Sequence, residues 1–79
     1  MTETTSAPPY SLLIAWDPRD QIFVVTVPEL PGCRTHGTTY EEAVCQAHDA
    51  IATWIEGALE DGEPLPTPHT YGTYTAASA

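Results

Sequence analysis

Residues 39–62 read TYEEAVCQAHDAIATWIEGALEDG, and this stretch decides the fold because it has the pattern of an amphipathic helix with both ends marked. Thr39 and Glu42 fit a capping box, in which the Thr39 hydroxyl accepts from the Glu42 amide and the Glu42 carboxylate reaches back to the Thr39 amide. Gly62 is a natural left-handed stop. Apolar residues recur at steps of three and four and form one stripe: Tyr40, Ala43, Val44, Ala47, Ile51, Trp54, Ile55 and Ala58.

Three strands are predicted before the helix, at residues 10–16, 22–27 and 33–36. The first alternates along its length, with Trp16 on its apolar face, whereas the second is apolar on both faces, as is typical of a central strand. Residues 17–20 have turn chemistry, and Pro31-Gly32 suits the centre of a type II turn. We therefore predict that the strands pair antiparallel and bury one face against the helix.

Three further expectations concern single residues of this sheet and helix. Trp16 and Trp54 are expected in the core, where together they pack the sheet onto the helix. Gly57 lies within the helix at a cost of about 1 kcal/mol relative to alanine, which favours a close backbone approach there, either in the core or at a contact between subunits.

The chain of 79 residues has room for one domain. We expect a flexible leader at 1–9, a folded domain at 10–68, and a tail at 69–79 that has no DNA-binding module. Residues 71–75 form a possible fourth strand. The predicted class is α+β, a three- to four-stranded antiparallel sheet with one long helix packed on one face, in the order β-β-β-α-β.

The charge balance narrows the classes of function. Asp and Glu total 11 against two arginines and no lysine, which gives a net charge of −9. Direct binding of nucleic acid is disfavoured, because neutralising phosphates requires clustered cations, whereas a basic partner suits this field. The first residues include no basic start and no apolar run, so neither a signal peptide nor a membrane span is expected, and a cytoplasmic protein is the default.

Several short segments resemble one known family when taken in order and at their spacings. The resemblance covers about residues 10–68 and rests on these segments: Trp16-Asp17, VTVPELPGC at 25–33, THGTT at 35–39, Glu41-Glu42-Ala43, Ala50-Ile51, Trp54-Ile55 and GEPLPTP at 62–68. Together they resemble the HicB-type antitoxin domain.

This resemblance implies a partial RNase H fold, assembly into homodimers or tetramers, and neutralisation of a small HicA-type RNase toxin by covering its active site. Many members continue into a promoter-binding segment. The residues that follow Pro68 here are few and not basic, so we expect no such module.

Two sets of helix residues are candidate contacts. The partner-binding set is an acidic strip opposite the apolar stripe, made of Glu42, Asp49, Glu56 and Glu60. Like charges four residues apart repel, which hints at a cationic partner, although a solvated face on an acidic protein has the same pattern. The oligomer-contact set is a thin apolar strip made of Cys45, Ala52 and Leu59.

Catalytic and metal sites are not predicted. Cys33, His36, Cys45 and His48 have the residue types of a zinc site, but residues three apart on a strand point to opposite faces. A metal-dependent nuclease needs converging carboxylates, and the best candidates (Asp17, Asp20 and Glu29) fall in turns. We therefore predict a non-enzymatic antitoxin domain without a cofactor, acting through its acidic helix face and a sheet edge. The alternative is an orphan oligomeric regulatory or ligand-binding module.

Overall fold

The computed structural model describes residues 8–72 and has three strands followed by one helix. The elements are β1 (Leu13–Asp17), β2 (Ile22–Thr26), β3 (Arg34–Gly37) and α1 (Tyr40–Glu60). The strands form one antiparallel sheet in the order β1-β2-β3. The predicted α+β class, an antiparallel sheet with one long helix, is confirmed.

The two turns of the sheet have the local chemistry predicted for them. In the first turn, the Asp17 carboxylate accepts from the Arg19 amide at 3.0 Å, and the Asp17 carbonyl accepts from the Gln21 amide at 2.8 Å. In the second, Gly32 has a φ of +78°, and the Leu30 carbonyl accepts from the Cys33 amide at 3.0 Å. Both turns hold adjacent strands in one register.

Both ends of α1 are closed by the residues that the sequence marks. At the start, the Thr39 hydroxyl accepts from the Glu42 amide at 3.0 Å. At the end, Gly62 has a φ of +70° and its amide donates to the Leu59 carbonyl at 3.1 Å. The Glu63 amide donates to the Ala58 carbonyl at 2.9 Å, which completes a Schellman motif and satisfies carbonyls that would otherwise lack partners.

The helix buries its apolar stripe in two clusters against the sheet and the loop before β3. Small residues make the first cluster, in which Ala43 and Ala47 pack on Val25 of β2, all three with no exposed surface. The second cluster lies toward the end of the helix and consists of Tyr10, Val27, Leu30, Cys33 and Ile51. Trp54, predicted to lie in the core, is partly buried and packs against this second cluster, and its indole nitrogen donates to the Pro31 carbonyl at 3.1 Å.

The expectation that Trp16 lies in the core is wrong, because its side chain is 52% exposed. Helix α1 packs on β3 and β2, so the end of the edge strand β1 stays uncovered. Trp16 instead makes an edge contact with Phe23 at 5.0 Å between ring centroids. Tyr40, placed in the buried stripe by its spacing, is also 62% exposed and stacks on Phe23 at 4.3 Å.

Close approach of backbones occurs at Gly37, and the expectation of one at Gly57 within the core is wrong, while a subunit contact at Gly57 stays a prediction. A Cβ on Gly37 would lie 2.5 Å from the Ala43 nitrogen and 2.8 Å from its Cα. A Cβ on Gly57 would meet nothing within 4 Å. Gly37 therefore lets the end of β3 touch the first turn of the helix, while Gly57 faces open space.

The possible fourth strand falls partly outside the part of the chain that the structure describes. Tyr71 and Gly72 lie in a turn, and Tyr71 is 96% exposed. The rest of that segment, residues 73–75, lies outside the described residues, as does most of the leader.

Gly37→Ala should destabilise the domain by about 1–3 kcal/mol, the usual cost of forcing extra volume into a packed site. The clash is with main-chain atoms of Ala43, so no side-chain rotation relieves it. Gly57→Ala is the matched control and should stabilise by about 0.5–1 kcal/mol, because its Cβ meets nothing and alanine favours helix. Urea unfolding of both variants measures the difference. Equal stability of Gly37→Ala and the parent would contradict the close approach.

Candidate partner-binding surface

The acidic strip lies on the outer side of α1, opposite the apolar stripe, and two of its residues also border β3. At 100° per residue, Glu42, Asp49, Glu56 and Glu60 fall within a narrow arc of the helix. All four are exposed. Asp49 lines a groove between α1 and β3, and Glu42 lines a second concavity beside His36 and Thr38. Glu42 and Asp49 therefore border the free side of β3 along the first half of the helix.

Glu42 has a structural bond in addition to its place in the strip. Its Oε1 accepts from the Thr38 amide at 2.6 Å and from the Thr38 hydroxyl at 2.7 Å. The expected bond to the Thr39 amide is replaced by this one, one residue earlier. These two hydrogen bonds hold the pKa of Glu42 below its ordinary value. Glu42 is therefore a fixed negative charge beside the β3–α1 junction.

The predicted oligomer contacts lie on an exposed side of α1, next to the acidic strip. Cys45, Ala52 and Leu59 are all exposed, and Leu59 is exposed by 63%. Their spacing of seven residues places them in one line along the helix, away from the sheet. They remain candidates for a contact between subunits.

Glu29 is the residue whose structural role sequence reasoning missed. It lies in a turn, as expected, but its side chain is 1% exposed. Its carboxylate accepts from the Ser11 amide at 3.0 Å, from the Ser11 hydroxyl at 2.9 Å and from the His69 amide at 2.8 Å. Glu29 thus ties the segment before β1 to the segment after α1, and it does not converge with other carboxylates.

The ionisation of Glu29 depends on these bonds. Burial alone would raise its pKa, but the hydrogen bonds from the His69 and Ser11 amides outweigh burial and hold the pKa below its ordinary value. A second long-range bond strengthens the same junction, since the Tyr10 hydroxyl donates to the Pro66 carbonyl at 2.6 Å. Ser11, Glu29 and His69 are far apart in the sequence and form no periodic pattern. The junction between them could therefore not be predicted from the sequence.

The cysteines and histidines of the rejected zinc site do not meet. Cys33 is buried, and burial raises the pKa of its thiol, whereas Cys45, His36 and His48 are exposed. Within residues 8–72, no three His, Cys, Asp or Glu side chains are grouped as they would be to hold a metal ion. In the same range, no helix combines the length and apolarity needed to cross a membrane.

Comparison with known proteins places the sequence in a family. The family model described as HicB-like antitoxin of bacterial toxin-antitoxin system matches residues 10–79. The chain is 46% identical over 52 residues to an uncharacterized 14.9 kDa protein of Haemophilus phage HP1, and 40% identical over 57 residues to a UPF0150 protein of Thermoplasma acidophilum. It is also 40% identical over 50 residues to Antitoxin HicB 2 of Photorhabdus laumondii. No solved structure matches it.

The lengths of these relatives differ. The matched part makes up 66% of this chain but 39% of the phage protein, and 63% of this chain but 36% of the Photorhabdus antitoxin. For the Thermoplasma protein the shares are 72% and 81%.

The three-stranded antiparallel sheet and its one acidic helix form a small α+β domain. Its candidate partner-binding site is the exposed acidic strip on this helix. The chain belongs to the family of HicB-like antitoxins of bacterial toxin-antitoxin systems.

Glu29→Gln should lower the free energy of unfolding at neutral pH by about 1–3 kcal/mol, because one buried acceptor is lost and charge-assisted bonds become neutral. The folded pKa of Glu29 lies below the unfolded value, so its contribution is complete above the unfolded pKa and is lost as pH falls through the folded one. The variant should therefore lose less stability than the parent on acidification below about pH 4.5, the ordinary value for glutamate. Urea unfolding at several pH values measures both effects.

Glu63→Gln is the matched control, because Glu63 is exposed. It should leave both the neutral stability and the acid dependence close to those of the parent. An acid dependence of Glu29→Gln identical to that of the parent would contradict the anchoring role of the carboxylate.

Proposed function

We propose that this chain is an antitoxin that binds a small basic HicA-type mRNA interferase and occludes its active site. The observation that carries the proposal is the acidic strip on α1, because the chain belongs to a family of antitoxins and an antitoxin acts by binding another protein. Glu42, Asp49, Glu56 and Glu60 are exposed, and α1 contains no lysine or arginine to compensate them. A protein that binds RNA needs a cationic surface, and such a surface is attracted to this strip.

The mechanism proposed is steric and electrostatic, without chemistry in the antitoxin itself. Opposite charge accelerates the encounter, and burial of the toxin's active site then excludes RNA. In this proposal the protein acts in the cytoplasm, where messenger RNA is the target of the toxin. It requires no cofactor and no nucleic-acid contact by this chain alone.

The proposal includes self-association into dimers or tetramers through the line of Cys45, Ala52 and Leu59. These residues are exposed apolar groups on a small domain, and a core of this size gains stability from association. The folded unit is proposed to span residues 10–68.

A second candidate is an orphan oligomeric regulatory or ligand-binding module on the same fold. The Thermoplasma relative supports it, because the match covers 81% of that protein, which is therefore little more than this domain. The two candidates differ in whether a toxin partner exists.

Co-expression with the product of an adjacent reading frame decides between them. If that frame encodes a short, lysine-rich protein with one histidine, its expression alone should arrest growth. Co-expression of the present chain should restore growth, and the two proteins should co-purify. Failure both to restore growth and to co-purify would reject the toxin partnership and favour the orphan module.

Charge removal on the strip tests its role in the encounter. Asp49→Asn combined with Glu56→Gln should slow association with the toxin by roughly threefold to tenfold at low salt, because charges at an interface rim act mainly on the association rate. Added salt should shrink the difference, since exposed charges are screened. Stopped-flow or surface-based kinetics measures both.

Asp20→Asn combined with Glu63→Gln is the matched control for this pair. It changes the net charge equally but lies in the β1–β2 turn and beyond the helix end. An equal slowing in the control would mean that net charge alone drives the encounter and that the strip has no special part.

A further inference from the structure

The outer edge of β3 presents backbone hydrogen-bonding groups in a fixed order. In an antiparallel ladder, residues alternate between bonding to the neighbouring strand and pointing away from it. The Val27 amide donates to the Cys33 carbonyl at 3.0 Å, and Val25 is paired with Thr35. The backbone groups of Arg34 and His36 therefore point to the free side of β3, where the described residues place no other strand.

The helix turns this edge into one wall of a groove. Gly37 touches Ala43 at one end, and Trp54 bonds to the Pro31 carbonyl at the other, so α1 runs antiparallel beside β3. The groove between them has a volume of about 390 Å³. Its helix wall includes Gln46, Asp49, Ala50, Thr53 and Trp54. A strand added to β3 would lie along this groove, with every second side chain facing the helix.

Charge selects the occupant of the groove. The helix wall has Asp49 within the groove and Glu42 beside its end, and no lysine or arginine. A side chain that enters from an added strand therefore meets an acidic wall that a lysine or arginine would neutralise. A cationic strand fits both the edge and the wall.

A second copy of this chain fits the edge but not the wall. Two β3 strands paired about a two-fold axis would place the helix walls of the two grooves beside each other, with Asp49 near its counterpart. Arg34 is the one arginine or lysine of β3. Its neighbour Thr35 is paired with the buried Val25 and so faces the helix. Because side chains alternate along a strand, the Arg34 side chain lies on the sheet face away from the helix. The like charges would then face each other without compensation.

We propose that the β3 edge is the docking site for a β-strand of the cationic partner, and that a lysine or arginine of this strand enters the groove beside Asp49. This inference rests on the proposed function, of which it specifies the contact. Arg34 and His36 supply main-chain hydrogen bonds, and Asp49 supplies the charge that distinguishes a cationic strand from other strands.

Amide hydrogen exchange of the full chain, free and bound to the toxin from the adjacent reading frame, tests the docking directly. The Arg34 and His36 amides should exchange at least roughly tenfold more slowly in the complex, because each becomes hydrogen-bonded to the added strand. The amides of β1 on the far side of the sheet serve as the internal control and should change little.

Two pairs of variants test the same contact through affinity. His36→Pro removes the outward N–H and should raise the Kd by roughly tenfold or more, whereas His36→Ala keeps the N–H and should stay within about twofold. Asp49→Lys should weaken binding, and reversal of the toxin cation that faces it to glutamate should restore it. Urea unfolding shows whether His36→Pro is folded, and if it is not, hydrogen exchange and the Asp49 pair decide.

The outcomes separate this inference from the proposed function. A complex that forms and protects neither amide overturns the docking site and leaves the antitoxin proposal standing. The absence of any complex overturns both. Slow exchange at Arg34 and His36 in the free chain that depends on its concentration identifies a second copy as the occupant, and overturns the cationic strand.

Discussion

Helix α1 lies close to the sheet because the residues at the contact have almost no side chain. Ala43 and Ala47 pack on Val25 with no exposed surface, and Gly37 leaves room for the Ala43 backbone. Larger side chains would hold the two layers farther apart, because a close-packed interior has no room for extra volume. The position of the helix over β3 follows from this contact, and so do the groove beside β3 and the acidic strip that borders it.

The same contact between helix and sheet explains which part of the sheet is left uncovered. Because the helix sits over β2 and β3, the end of β1 has no cover, and Trp16, Phe23 and Tyr40 form a partly exposed row of aromatic rings. The strand order therefore gives the molecule two unlike sides. One side has aromatic surface beside β1, and the other has backbone groups and carboxylates beside β3.

Most of the fold could be predicted from local patterns. The helix from Tyr40 to Glu60 agrees with its capping residue and with its glycine stop, because both act within a few residues of the chain. Strand bounds differ by up to three residues at β1, where residues 10–12 precede the ladder. The exposure of Trp16 could not be predicted, because it depends on which strands the helix covers. Periodicity along one strand does not contain that information.

The candidate site divides in the same way. The acidic strip follows from helix geometry, so the shared exposed face of its four residues could be predicted from spacing alone, while its part in binding stays a prediction. Glu29 was missed as a structural anchor because its partners, Ser11 and His69, are separated from it by 18 and 40 residues. A loop carboxylate is ordinarily read as solvated, and only tertiary structure shows that it is enclosed. The exchange of Thr39 for Thr38 as the donor to Glu42 is a smaller difference, within the variation of helix caps.

The junction at Glu29 also determines how the domain can be connected to other sequence. It holds Ser11 and His69 against the same carboxylate, and Tyr10 against Pro66, so the first and last described segments run side by side. A short linker could therefore join these segments, which is the geometry that circular permutation requires. Because the two ends of the domain lie close together, it can be inserted into a host protein at two neighbouring positions without disrupting the sheet.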